Sequence, residues 1–287
     1  YIDVRNGMIN GSAAIRVLSS AAFNTSLNVL NVTASSIDTA SGTTLNPLSL
    51  NASLTSFARI LSGMSGTSDI RSSAVYAAGT WSGAIHIWNA TGDIGTSATV
   101  STSTGSTVMG ASNITSSGTV SGNANLTASN TTISGTVGSS STNSQRFDGV
   151  RINTSSATVN GSTIIKSTNL TLSSGIVGGA TTNTHAWTIT NRTVTSATVV
   201  GRTDMTSWDL EVTGGTMGGG SSTTHKWNVT NGTVIDGTVS GNTNITSGEL
   251  RSNAAVGSTA SSWHFWVVTN NITIAAAING NSNITGA

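Results

Sequence analysis

The sequence predicts an all-β fold, a β-solenoid or parallel β-helix with coils of about 20 residues, and three observations carry that expectation. The first is a recurring unit: "THAWTITNRTVTSATVVG" around Trp187 returns as "THKWNVTNGTVIDGTVSG" around Trp227 and "WHFWVVTNNITIAAAING" around Trp266. In each, an aromatic stands twelve residues before an aliphatic anchor: Trp187 before Val199, Trp227 before Val239, Trp266 before Ile278. The same spacing joins Trp88 to Val100 and Phe147 to Val159. These five aromatics, Trp88, Phe147, Trp187, Trp227 and Trp266, are the expected core column. The second observation is the period. The anchors are Val100, Val120, Val137, Val159, Val177, Val199, Met217, Val239, Val256 and Ile278, and the steps between them alternate short and long. Short coils of about 18 and long ones of about 22 fit one turn of two or three strands, whereas helical repeats need roughly 33 residues or more. The third is the composition. Ser and Thr number 96, Asn 28 and Gly 33, against one Pro and 10 Asp and Glu. Thr, Val and Ile favour strands, Asn and Gly favour bends, and strong helix formers are scarce.

Taken in chain order, residues 1–80 form a less regular β region that starts the solenoid. Its stretch "AAIRVLSSAAFNTSLNVLNVTASSI" alternates like a strand, but the interval from Ile9 to Ile37 is too long for one coil without an insertion. Residues 81–287 form the regular solenoid. Within its coils apolar positions alternate, as at Trp187 and Ile189 or Leu170 and Leu172, the period of strands with one face inward. The anchors are usually followed by Gly within two residues, as in "VNGS", "VVGR" and "VSGN", which supplies the bend. At about 4.8 Å per coil, some 14 coils span roughly 65 to 70 Å. The two ends of the chain fit one another: "NSNITGA" followed by "YIDVRNGMING" aligns without a gap on "TDMTSWDLEVTGGTMGG". Ile284 then matches Met205, Tyr1 matches Asp209, Ile2 matches Leu210, Val4 matches Val212, and Ile9 matches the anchor Met217. Residues 1–80 are therefore expected to complement a neighbour's last coil, through Tyr1, Ile2, Val4, Ile9, Ile278 and Ile284.

The composition narrows the function classes. With 11 Lys and Arg against 10 Asp and Glu, there is no basic face for nucleic acid and no charge run for a membrane surface. No apolar stretch of about 18 residues is present to span a bilayer, so membrane insertion is not expected. The absence of Cys leaves stability to the core and to continuous backbone pairing. His86, His185, His225 and His264 each precede a Trp by two residues; since aromatic coils alternate with plain ones, the rings are too far apart to share a zinc ion and read as packing. Asp204, Asp209 and Glu211 form a small acidic group, but Asp209 and Glu211 alternate with Trp208, Leu210 and Val212 as an outward strand edge would. The Gly-rich "GGTMGGG" lacks the lysine and helix of a phosphate loop. Neither a cofactor nor a catalytic residue is assigned.

Asn-x-Ser/Thr occurs 17 times. One reading is Asn side chains laddering at the bends; the other is N-glycosylation. Asn125, Asn244 and Asn283 share one column position and are the first glycosylation candidates, followed by Asn113, Asn169, Asn191 and Asn231. Trp81, Trp208 and Trp263 fall outside the aromatic column and are candidates for stacking on sugars.

The repeats of residues 88–287 resemble those of β-solenoid surface proteins: adhesin stalks, autotransporter-type passengers and phage tail-fibre shafts. That resemblance lies in architecture and composition. It implies an extracellular or cell-surface rod that holds, spaces or attaches and lacks catalysis. The expectation is a non-enzymatic subunit or repeat of a surface filament, self-assembled head to tail by strand completion and N-glycosylated. The alternative is an adhesin or phage-fibre segment that binds carbohydrate receptors.

Overall fold

The computed structural model describes the backbone strands of residues 2–65 and, from residue 68 on, the side chains as well. Residues 84, 102–104, 219–222, 258–260 and 287 lie outside the description, and residues 69, 72 and 101 are described by backbone alone. Contacts divide the chain into two compact units, Tyr1–Ser139 and Ser140–Ala287. Each is an all-β parallel solenoid, and no helix occurs among the described residues.

In the first unit one anchor column runs through Ile9, Leu27, Leu45, Met64, Trp81, Val100, Val120 and Val137, each paired in parallel register with the next. The coils from Ile9 to Leu27 and from Leu27 to Leu45 are therefore of ordinary length and need no insertion. Ile37 belongs to another column, between Ala21 and Ala58. The N-terminal stretch is so rich in aliphatics that pattern alone does not single out Leu27 as the anchor. Ile2–Arg5 pairs with Ser20–Asn24, placing Ile2 beside Ala21 and Val4 beside Phe23. Tyr1 lies outside the described residues.

In the second unit the anchors Val159, Val177, Val199, Met217, Val239, Val256 and Ile278 follow one another through backbone pairs. Short and long steps alternate along this series, whereas the steps from Ile9 to Val137 in the first unit are nearly even and follow no such order. Alternation of short and long coils is thus not a rule of the whole chain. Long coils gain residues at two places. One is a loop after the anchor, as in 179–183, where the backbone N–H groups of Gly179 and Ala180 donate to Asn183 Oδ1 at 2.8 and 2.9 Å. The other is a corner where the register against the neighbouring coil shifts, between Thr188 and Arg192.

The strand Thr184–Thr195 shows how one segment serves two facets. His185, Trp187 and Ile189 point inward, residues 190–192 are all exposed at the corner, and Thr193 and Thr195 then point inward again. Ala197 and Val199 supply the third inward facet. Column by column, bulk alternates in opposite phase on two facets. The first carries Phe147, Ile165, Trp187, Met205, Trp227, Ile245 and Trp266, while the second carries Leu170, Thr193, Leu210, Thr233 and Leu250. From Trp187 to Ile245, a coil that holds Trp on one facet holds Thr on the other. The longer perimeter holds the larger aromatic side chains, as an interior packed to uniform density requires.

Candidate functional site

The inward side carries a repeated polar network. His185 Nε2 lies 2.9 Å from the Val200 carbonyl oxygen, an atom that can only accept, so Nε2 bears the proton. Nδ1 is then an acceptor, and it takes the Thr163 hydroxyl proton at 2.9 Å. The same Thr163 oxygen accepts from Trp187 Nε1 at 2.8 Å. His264 repeats the chain of bonds: Nδ1 with the Thr243 hydroxyl at 2.8 Å, Trp266 Nε1 donating to Thr243 Oγ1 at 2.8 Å, and Nε2 donating to the Asn279 carbonyl at 3.0 Å. In the coil between them, His225 Nε2 keeps its carbonyl, Ser240 at 3.1 Å, but His225 Nδ1, Trp227 Nε1 and Thr203 Oγ1 are buried without a partner. In the first unit Ser68 takes the hydroxyl role for His86 and Trp88, at 2.8 and 3.0 Å. Burial pushes all four histidines below their ordinary pKa, to about 4 for His86 and His225. Both nitrogens of His185 and His264 are committed to the protein, leaving no lone pair for a metal. No group of three His, Cys, Asp or Glu able to hold a metal ion occurs among the described residues.

The acidic group does not converge on one centre. Asp204 sits on the outward side of the first facet, paired with Arg202 at 2.7 Å. Asp209 and Glu211 sit past the corner, where Asp209 accepts from Asn231 Nδ2 at 2.9 Å and Glu211 pairs with Arg192. At this corner asparagines do ladder. Asn113 Nδ2 donates to Asp93 Oδ1 and Asn130 Nδ2 to Asn113 Oδ1, both at 2.8 Å. Asn191 Nδ2 donates to Asn169 Oδ1, also at 2.8 Å.

Strand parity sorts the sequons. At Asn125, Asn244, Asn283 and Asn113 the Asn and the Thr two residues on lie on the same outward side of a strand. Asn169 and Thr171 are both half-buried on an outward side. At Asn191 and Asn231 the corner turns the Asn outward, while Thr193 and Thr233, two residues on, are buried and bonded to Ser207 and Ser247 at 3.1 and 2.9 Å.

Of the residues expected to complete a coil between copies, Ile278 pairs with Val256 and Ile284 with Trp266. Ile278 and Ile284 are half-buried, whereas Met205 and Ile245, at the position of Ile284 in earlier coils, are 3 % and 0 % exposed. Trp88, Phe147, Trp187, Trp227 and Trp266 are all buried.

The three sugar-stacking candidates part company. Trp81 is fully buried, which rules it out as a surface for stacking on sugars: it lies outside the aromatic column, in the anchor column between Met64 and Val100, packed edge-on against Trp88 at 4.8 Å. Trp208 is 49 % exposed, at a corner. Trp263 is 45 % exposed on the outward side of the first facet, and Phe265, which the sequence reading does not single out, is 39 % exposed two residues on. Its opposite parity to His264 and Trp266 was the available signal. In neighbouring coils the register sets Asn244 and Asn283 either side of Phe265, and Asn281 beside Trp263. Asn242 closes the frame by accepting from the Trp263 backbone N–H at 2.9 Å.

No protein-family model, curated protein or solved structure matches the chain.

Proposed function

We propose that this chain is a non-catalytic structural unit of an extracellular surface filament, extended head to tail by completion of a coil. One observation carries the reading. The last strand, Asn281–Gly286, ends a first facet, with Ile284 in the column of Trp266. The first strands supply the two facets that follow: Ile2 lies in the column that leads through Ala21, Ile37, Ala58, Val75 and Ile94 to Ile114, and Ile9 lies in the anchor column. Met109 precedes Ile114 by five residues, as Met205 precedes Leu210, and Ile2 stands five residues after Ile284 when the ends are joined. A coil begun by Ile284 and finished by Ile2, Val4 and Ile9 reproduces the spacing of its neighbours. The joining strand edge, with its row of unmatched N–H and C=O groups, is the template for parallel addition, and an addition of this kind does not close on itself. The outward sequon at Asn125 fits a glycosylated surface.

Electron microscopy of the purified protein, with denaturing mass measurement of the same sample, tests the reading. The expected result is long fibres with a regular axial repeat. If they dissolve into chains of 28.8 kDa plus any sugar mass, copies add non-covalently. If only far larger chains appear, the sequence is one period of a longer polypeptide with the same coil completion. Ile284→Asp should abolish non-covalent fibres. Discrete short particles at all concentrations would overturn the proposal.

A further inference from the structure

The flank of the second unit bears a patch that filament building does not use. Along the first facet the flanking positions of successive coils hold Arg202 and Asp204, then Thr224 and Lys226, then buried Asn242 and half-buried Asn244. The next coil places Trp263 and Phe265 there, and the one after it Asn281 and Asn283. A pair of aromatics is thus framed on both sides by pairs of asparagines. Exposed rings of this size cost solvation free energy and mark contact sites when they cluster. Asn244, Trp263, Phe265, Asn281 and Asn283 line an open depression of about 430 Å³, within the range of roughly 300 to 1,000 Å³ typical of small-molecule sites.

The chemistry of the lining selects the occupant. Ring faces take up the C–H face of a pyranose. Each amide offers one acceptor and two donors, which matches vicinal hydroxyls. The lining holds no carboxylate, lysine or arginine, and buried His264 is held neutral by desolvation, so nothing there rewards a phosphate, sulfate or uronate. Two outward positions on one strand stand about 7 Å apart, so successive units of an extended oligosaccharide can each meet a ring.

We propose that Trp263 and Phe265, framed by Asn244, Asn281 and Asn283, form a binding site for a neutral, extended, β-linked oligosaccharide. A glycan carried on Asn244 or Asn283 would lie across the same rings, so the site belongs to the bare amides.

The test uses the full chain produced in bacteria, where the sequons stay unmodified. It is run through native gels containing hydroxyethylcellulose, xylan or galactomannan, with soluble chitohexaose titrated in parallel by tryptophan fluorescence. Binding to at least one probe is expected, weakened about tenfold or more by Trp263→Ala or Phe265→Ala, in line with the loss of one stacked ring. Trp208→Ala, exposed at the other corner, should bind as the parent does, and melting temperatures of the three variants should agree with the parent's. Absence of binding to all four probes would overturn the proposal, as would binding that survives both substitutions. Self-association without sugar that Trp263→Ala abolishes would overturn it too, by assigning the patch to a second copy of the chain.

Discussion

Thr243 stabilises two buried groups at once, because its oxygen accepts from Trp266 Nε1 while its proton goes to His264 Nδ1. Thr243→Val keeps the shape and removes both partners. An unpaired buried polar group costs about 1–3 kcal/mol, so the variant should lose roughly 2–4 kcal/mol, read from the shift of its urea midpoint at neutral pH. Thr203→Val is the internal control. Thr203 Oγ1, His225 Nδ1 and Trp227 Nε1 have no partner already, so that substitution should cost less than about 1 kcal/mol, the scale of a single net hydrogen bond. Equal losses would show that the network is not what the threonine contributes. At this scale the sequence is only partly legible. The H-x-W spacing puts both rings on one side of a strand, but the hydroxyl lies 21 to 24 residues away in the preceding coil, where Ser or Thr is everywhere. The place of Trp81 is hard to read for a related reason. It stands one coil length before Val100, yet an indole in a column of Val and Met looks like an outlier until Met64 is seen to pair with it.

Among the elements, the bend after each anchor couples to the histidine. Gly178, Gly218 and Gly257 adopt φ of +86°, +100° and +86°, and each stands seven residues before its histidine. At Gly178 an added Cβ would press on the Val200 carbonyl oxygen and come within 2.9 Å of His185 Nε2, the two atoms that bond each other. The glycine is therefore needed twice, for its backbone conformation and for the room its missing side chain leaves. Gly178→Ala should cost more than the roughly 1–3 kcal/mol of left-handed strain alone, because neither backbone oxygen nor locked imidazole can retreat. Thermal unfolding measures this, with Gly214→Ala as the comparison. That Cβ would meet only Ser196 Cβ at 3.9 Å, so the control should melt close to the parent. A bend glycine after most anchors is visible in the sequence, but its partnership with the histidine is not, since the carbonyl involved belongs to the next coil. The coil period is legible because a solenoid repeats its own environment, and like positions demand like residues. It fades in residues 1–80, where several aliphatics compete for each anchor and the register has to come from backbone pairing.

Across the whole molecule the histidines are unevenly shared, His86 in the first unit and His185, His225 and His264 in the second. Each is held neutral chiefly by burial. For His225, repulsion from His185 adds to this, while the Ser240 carbonyl and Asp204 oppose it. Protonating Nδ1 of His185 or His264 would also set an N–H against a hydroxyl that already donates to it, forcing the hydroxyl proton to find another acceptor. A histidine whose folded pKa lies below its unfolded value of about 6.5 leaves stability unchanged above that pH. Between about 6.5 and the folded value the unfolded chain binds a proton that the folded chain refuses, so stability falls as pH falls, by up to about 1.4 kcal/mol per pH unit for each such group. Three groups against one means that the second unit should soften more steeply on acidification. Hydrogen exchange followed by peptide mass spectrometry, corrected for intrinsic rates, should show opening free energies across 163–268 dropping about two to three times as fast as those across 68–137 between pH 6.5 and 4.5. His225→Gln, which keeps a donor for the Ser240 carbonyl and cannot titrate, should flatten the slope of the second unit by about one third. Equal slopes in the two units, or a slope untouched by that substitution, would mean that acid sensitivity arises elsewhere than in the histidine column.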